Sequence, residues 1–317
     1  MILLTGATGF VGSALAKRLS SDEAAVRVVA AIRKANVVLP NGVVPIHVGD
    51  ILPTTNWQAA LQGIHTVVHL AARVHVMNDK SPDPLSNFLQ INAQGTANLA
   101  QQAATAGVKR FIFLSSIKVN GELTQPGQAF TAEDVPAPED PYGVSKCEAE
   151  RLLRLIASET GMEVVIIRPP LVYGHGVKAN FNSMMRVLSR GIPLPLAAVT
   201  NNRRSLVALD NLVDLIVTCM HHPAAANQTF LVSDGEDLSI AELLIRMGQA
   251  LRKPARLFYV PTWLLKCGAH ALNKSSIYQR LCGSLQLDIS KTRNVLAWHP
   301  PLSVDEGLQR AALRLHC

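Results

Sequence analysis

The chain has 317 residues, 48% of them hydrophobic and 17% charged, the balance of a folded protein and not of a disordered one. That length holds one large domain or about two, and collagen, coiled-coil, disulfide-stapled and bilayer-spanning classes are excluded, the last because no apolar run approaches ~18 residues. Lys and Arg number 30 against 23 Asp and Glu, a net charge of +7; such a balance suits nucleic acid, an anionic membrane surface or anionic small molecules, and because no basic run reaches five residues nucleotides are expected and nucleic acid is not.

Met1 runs without a basic leader into Ile2-Leu3-Leu4, which reads as a buried strand and not as a signal peptide. Short apolar runs predict strands over residues 2–4, 27–31, 44–48, 66–70, 110–115 and 163–168. Between them, amphipathic stretches predict helices over 10–19, 57–61, 84–107 and 142–160. In the third of these, Leu85, Phe88, Leu89, Ala93, Ala97 and Ala100 recur near a 3.6-residue period. Strands apolar on both faces and separated by helices predict an α/β, doubly wound parallel sheet of Rossmann type, with ligands at the carboxyl ends of its strands.

After Arg168 the pattern breaks at Pro169-Pro170, followed by a Gly174-His175-Gly176 loop and a less regular region with Pro193, Pro195 and Pro223. A strand over 229–232 and a helix over 239–251 come next, the helix opened by a Ser239/Glu242 capping box. The expected division is a dinucleotide-binding domain of residues 1–170 plus a returning segment near 205–235. Residues 171–204 and 236–317 form a smaller, mainly helical substrate domain. Trp263-Leu264-Leu265, near Cys267, reads as a buried helix, with weak docking at a membrane as the alternative. The five cysteines, Cys147, Cys219, Cys267, Cys282 and Cys317, are odd in number and contain no CxxC. They point to free thiols in a reducing, cytoplasmic compartment. His65/His69 and His221-His222 lack a second ligand cluster, so no metal is expected.

Gly6-Ala7-Thr8-Gly9-Phe10-Val11-Gly12 lies where the first strand turns into the first helix. Glycine there lets the backbone approach a pyrophosphate, and the N–H groups of Thr8 to Val11 and the helix dipole face the anion. The second strand ends in Arg33-Lys34, with no acid to bind a ribose 2′-hydroxyl. Arg33 suits a 2′-phosphate, so NADP(H) is preferred and NAD(H) is the alternative. Tyr142 and Lys146 stand four apart at the start of a helix and share one face. An ammonium close to a phenol favours phenolate, which makes Tyr142 a workable acid/base. Ser115-Ser116 ends the fifth strand at the ligand edge, where Ser116 can donate to a carbonyl oxygen.

The G-x-x-G-x-x-G loop together with Tyr-x-x-x-Lys resembles the short-chain dehydrogenase/reductase superfamily, in its extended, nucleotide-sugar branch. The resemblance implies that Ser116, Tyr142 and Lys146 are catalytic and that Lys146 also holds the nicotinamide ribose. It implies an adenine contact for Asp50 with Ile51, and a cofactor segment at Leu70-Ala71-Ala72. Asn92 would be the structural asparagine, and Pro169 and Leu171 would lie in the loop over the nicotinamide. It assigns Asn180 and Arg204 to a substrate diphosphate, with Lys118 and His75 as further substrate contacts. Ile117 and Lys118 stand where dehydratases carry an Asp-Glu pair, which argues against water elimination. Residues 71–79 and 115–121 look most like the UDP-4-keto-6-deoxy-N-acetylhexosamine 4-reductases that form UDP-N-acetylquinovosamine. The implied activity is NAD(P)H-dependent reduction of such a UDP-sugar for surface polysaccharide, in a homodimer formed through 84–107 and 142–160. The alternative is a UDP-hexose or UDP-HexNAc 4-epimerase with tightly held NAD. A dinucleotide-binding regulator without catalysis is a further rival; such proteins commonly lose the tyrosine or the lysine.

Overall fold

The computed structural model describes residues 1–21, 26–74, 83–125, 127–177 and 179–313. The chain opens with β1 (Ile2–Thr5), α1 (Phe10–Ser21), β2 (Val28–Ile32), β3 (Val43–His47) and β4 (Thr66–His69). Then α2 (Pro84–Phe88), a π-helical turn over Leu89–Gln94 and α3 (Gly95–Thr105) follow without a break. After them come β5 (Arg110–Leu114), a 3-10 turn over Ile117–Val119, α4 (Pro141–Thr160) and β6 (Glu163–Arg168). The second half holds β7 (Leu171–Tyr173), α5 (Ala179–Ser189), β8 (Arg204–Ala208), α6 (Leu209–His221), β9 (Thr229–Leu231) and β10 (Asp237–Leu238). It ends with α7 (Ile240–Ala250), α8 (Thr262–Ala271), α9 (Ser275–Cys282), α10 (Ser290–Leu296) and α11 (Val304–Ala312).

Seven strands form one parallel sheet in the order β3-β2-β1-β4-β5-β6-β9. The order reverses between β1 and β4, which opens a crevice above their carboxyl ends. Alternation along each strand feeds two cores. Leu4, Ala30, Val68, Ile112 and Val165 face α1 and α6, while Leu3, Val67, Phe111 and Val164 face α3 and α4. Both faces are covered, which is why these strands read as unbroken apolar runs. Each fully buried Leu, Val or Phe contributes roughly 1.5–3 kcal/mol.

The expected helix at 57–61 is a run of turns. It lies between Pro53 and Gly63, and too few residues remain to offset the cost of helix nucleation. Trp57 and Leu61 are buried there through their side chains, and the Trp57 backbone N–H donates to Gln102 Oε1 at 2.8 Å.

In the expected returning segment, β9 joins the main sheet beside β6 and α6 packs on α1. β8 instead pairs with β7 and β10 in a separate three-stranded sheet. That sheet shares a core with α5, α7 and α11, around Tyr173, Phe181, Leu206, Leu244 and Leu308. Ser239 caps α7, and Glu242 returns the bond to complete the expected capping box. A seam joins the two halves. Thr124 N bonds to Ser284 O, Phe130 N to Gln286 O, and Asp288 N back to Phe130 O, all within 2.9 Å. Ile117, Leu285, Leu287 and Ile289 pack beneath it with Phe130.

Candidate active site

The glycine loop occupies the crevice at the strand reversal. Gly6 has φ 72°, and a Cβ there would stand 2.8 Å from Ala71 N. A Cβ on Gly12 would stand 2.0 Å from Gly6 O, so the loop, the start of α1 and the end of β4 close on one another only through glycine. Gly9 N donates to Gly6 O at 2.8 Å, which leaves Thr8 and Gly9 exposed at the head of α1, whose first turn carries no acid. This cradle fits the pyrophosphate of a dinucleotide. Leu70, Ala71 and Ala72 line up beside it after β4.

Sequence reasoning missed what fixes that crevice. Thr5 Oγ1 accepts from Ala71 N at 3.2 Å and shares a hydrogen bond with His69 Nδ1 at 2.7 Å. His69 Nε2 makes a second hydrogen bond, with Thr96 Oγ1 at 3.0 Å. Burial, and after it the charge of Lys146, pull this histidine down to about 3, so it stays neutral. Asn92 sits on the π-helical turn and is buried. Its Oδ1 accepts from Arg73 N at 2.8 Å, and its Nδ2 donates to Arg73 O at 2.9 Å and to Ser145 Oγ at 3.0 Å. One extra residue in that turn aims Asn92 at both the β4 exit and α4.

Asp140 caps α4 through Gly143 N, and Tyr142 and Lys146 follow on the first turns. Lys146 is 2% exposed; its Nζ donates to Leu114 O at 2.8 Å, lies 4.3 Å from the Phe113 ring centroid and 6.0 Å from that of Tyr142. Burial lowers its ammonium to about 7, against the opposing pull of Glu150. Burial, and then the Asp140 carboxylate, raise the Tyr142 phenol above its ordinary value. The lowering of Tyr142 expected from Lys146 is not found: burial and the Asp140 carboxylate both act to raise the phenol.

The two serines part company. Ser115 is buried and donates to Glu150 Oε1 at 2.5 Å. Ser116, partly exposed, caps the 3-10 turn by accepting from Lys118 N at 3.3 Å, which leaves its own hydrogen without an acceptor among the described residues. Glu150 is fully buried and also receives Arg168 Nε at 2.9 Å, Arg168 Nη2 at 2.6 Å and Arg154 Nη2 at 2.9 Å. These cations and the Ser115 hydroxyl hold its carboxyl below the ordinary range despite its burial. Arg168 Nη1 reaches on to Asn120 Oδ1 at 2.9 Å. The signal for this network was Glu150 itself, four residues after Lys146 on the same face.

Other predicted contacts are placed differently. Lys118 is held in a double ion pair with Glu122 at 2.8 Å and with Asp140, so its charge is already matched. Arg33 and Asp50, both exposed, face each other at 3.5 Å at the carboxyl end of β2. Gly95 packs against Ile51, where a Cβ would stand 2.8 Å from the Ile51 carbonyl. Pro169 O accepts from Ile117 N at 2.9 Å, and Leu171 opens β7 with 42% exposure. Arg204 Nη1 donates to Gly283 O at 3.0 Å, and burial lowers its pKa with no carboxylate beside it among the described residues. His75 and the side chain of Asn180 lie outside the described residues.

A parallel sheet with a glycine cradle at its reversal, facing a helix that carries Tyr142 and Lys146, defines a short-chain dehydrogenase/reductase fold. The chain belongs to the NAD dependent epimerase/dehydratase family, whose model matches residues 2–233. It is 52% identical over 311 residues to a UDP-glucose 4-epimerase of Vibrio cholerae, covering 98% of this chain and 94% of that one. It is 27% identical to the N-acetyl-alpha-D-glucosaminyl-diphospho-ditrans,octacis-undecaprenol 4-epimerase of Escherichia coli O157:H7, covering 98% and 93%. Among solved structures, MoeE5 in complex with UDP-glucose and NAD superposes with a TM-score of 0.78 at 25% identity, covering 99% of this chain and 98% of that one. The UDP-N-acetylglucosamine 4-epimerase of Bacillus cereus superposes at 0.80 with 18% identity, covering 100% and 99%, a likeness of fold.

Proposed function

We propose that the protein is a UDP-sugar 4-epimerase that works with NAD. The observation that carries this reading is 52% identity, along 98% of the chain, to a protein named for that activity. The NADP preference drawn from Arg33 gives way, because Arg33 is matched by Asp50 and the MoeE5 structure contains NAD.

Gly6, Gly9 and Gly12 would receive the pyrophosphate and Lys146 the nicotinamide ribose; NAD, when bound, supplies the hydride acceptor and donor. Tyr142 must be ionised to act: as phenolate its Oη takes the proton from the sugar 4-hydroxyl and later returns it. Ser116 Oγ donates to the same oxygen and steadies the charge that grows there. Arg204, half-buried with no carboxylate beside it among the described residues, is suited to the substrate diphosphate. In this reading Lys118 stays with Glu122 and Asp140 and is not a substrate contact.

The 4-ketoreductase expected from residues 71–79 and 115–121 uses the same three groups in one direction only. Purified protein given UDP-glucose or UDP-N-acetylglucosamine, without added cofactor, should form the 4-epimer. Stoichiometric NADPH oxidation with a UDP-4-keto sugar, with no interconversion, would overturn the epimerase and restore the reductase.

A further inference from the structure

The positive charge of this chain is concentrated in one stretch. Residues 243–287 hold seven Lys and Arg and no Asp or Glu; the other 23 basic residues balance all 23 acidic ones. The whole net charge of +7 is therefore accounted for by this stretch.

The same stretch carries α8, none of whose residues is buried. The expectation of a buried helix at Trp263-Leu264-Leu265 is corrected: only Leu265 turns toward the C-terminal core, while Trp263 is 65% exposed. Tyr259 and Leu272 are exposed at 73% and 70%, and Phe258, Leu264 and Ile277 are close to half exposed. Large apolar side chains scattered singly over a surface need no explanation, but six within 20 residues of chain, three of them aromatic, do. Arg252, Arg256, Lys266 and Lys274 are exposed in the same stretch and pair with no carboxylate among the described residues.

We propose that α8 and its flanks dock on an anionic lipid surface. Phe258, Tyr259, Trp263 and Leu264 enter the headgroup boundary, and the surrounding cations meet lipid phosphates. Aromatic rings with leucine in a stretch of chain that carries cations and no acid are the chemistry that lies in a membrane interface. A second copy of the face is a poor match, because it would bring cation against cation. No described helix is long and apolar enough to cross a membrane, and α8 has 10 residues, so it lies on the surface and does not span it. The inference does not depend on the proposed reaction: epimerisation and lipid binding are measured separately, and either can fail alone.

Trp263 reports directly on the contact, since the other tryptophans, Trp57 and Trp298, are 0% and 4% exposed. The intact protein is mixed with vesicles of phosphatidylcholine, with and without phosphatidylglycerol. The expected result is cosedimentation with the anionic vesicles, a blue shift of tryptophan emission and quenching by brominated lipid, all reversed between about 0.1 and about 1 M salt. Lys266→Gln and Lys274→Gln should each lower partition roughly fivefold. Trp263→Ala with Leu264→Ala should lower it tenfold or more, with thermal unfolding unchanged because both side chains are exposed. Three results would overturn the proposal: no binding to anionic vesicles at low salt, equal binding by the double variant, or a patch that serves only to join two copies or hold an acidic protein while vesicles are ignored.

Discussion

Lys146 donates to the carbonyl oxygen of Leu114, 2.8 Å away at the last residue of β5. One bond thus ties the first turns of α4 to the strand end that carries Ser116 two residues on. The helix supplies the phenol and the ammonium, the strand supplies the hydroxyl, and this anchor fixes the relation between the two elements.

Tyr142→Phe removes only the phenolic oxygen, which bonds to nothing among the described residues, so the fold should be unaffected. Turnover of UDP-glucose should fall by roughly 10²–10⁴-fold, as for loss of a general acid/base, while NAD affinity stays within a few-fold. Steady-state rates and titration of the dinucleotide check both parts; unchanged turnover would remove the phenol from the mechanism.

Lys146 makes folding stability depend on pH. The unfolded chain holds this proton up to the usual value near 10.5, the folded one only up to about 7. Between these values the unfolded state binds more protons, so stability rises with pH. Relative to Lys146→Met, the parent should gain stability from pH 7 to about 10, with a slope of up to ~1.4 kcal/mol per pH unit, and the difference should level off below about pH 6. Urea unfolding of both proteins at each pH tests this; parallel curves would contradict the assignment.

Glu150→Gln leaves the Arg168 guanidinium, 1% exposed, without its counter-charge. The expected cost is about 3–5 kcal/mol in chemical denaturation. Replacing both at once, with Glu150→Leu and Arg168→Met, should recover a large part of that loss, since an apolar pair leaves no charge stranded.

Gly12→Ala drives a methyl into Gly6 O at 2.0 Å and should abolish dinucleotide binding by opening the loop. Gly268→Ala on α8 meets nothing within 4 Å and should leave binding intact, with a gain of roughly 0.5–1 kcal/mol from helix propensity. Calorimetric titration with NAD, beside far-ultraviolet spectra, separates loss of the cradle from loss of the fold.

Much of the first half was legible because burial on both faces writes itself into sequence: β1 through β6 each lie within a residue or so of the expected runs. The glycine loop and the Tyr142/Lys146 spacing were equally plain, since backbone approach and helical repeat each leave a pattern. What stayed hidden depends on partners distant in the chain. The apolar period from Leu85 to Ala100 says nothing of the extra residue that makes a π-helical turn and aims Asn92. Lys118 reads as a free cation until Asp140 and Glu122 fold against it, and nothing local shows that Asp50, seventeen residues on, stands 3.5 Å from Arg33. β8 carries the burial of a strand, yet its sheet is formed with β7 and β10, and no local signal distinguishes the two sheets. Trp263 looks like core by composition; whether anything covers it is decided by the rest of the molecule.

The hydrogen-bonded seam at 124–130 and 284–288 gives the two halves joint custody of the loop behind Ser116. Asn120 holds Arg168 on one side and the Thr131 carbonyl on the other, and Ile117 rests on Leu285, Leu287 and Ile289. A fragment ending after β6 would contain the phenol, the ammonium and the hydroxyl, yet would lack the backing on which the hydroxyl's loop is built. Ser116, Tyr142 and Lys146 all lie in the first half of the chain, and the residues that back the serine's loop, 284–289, come from near its other end.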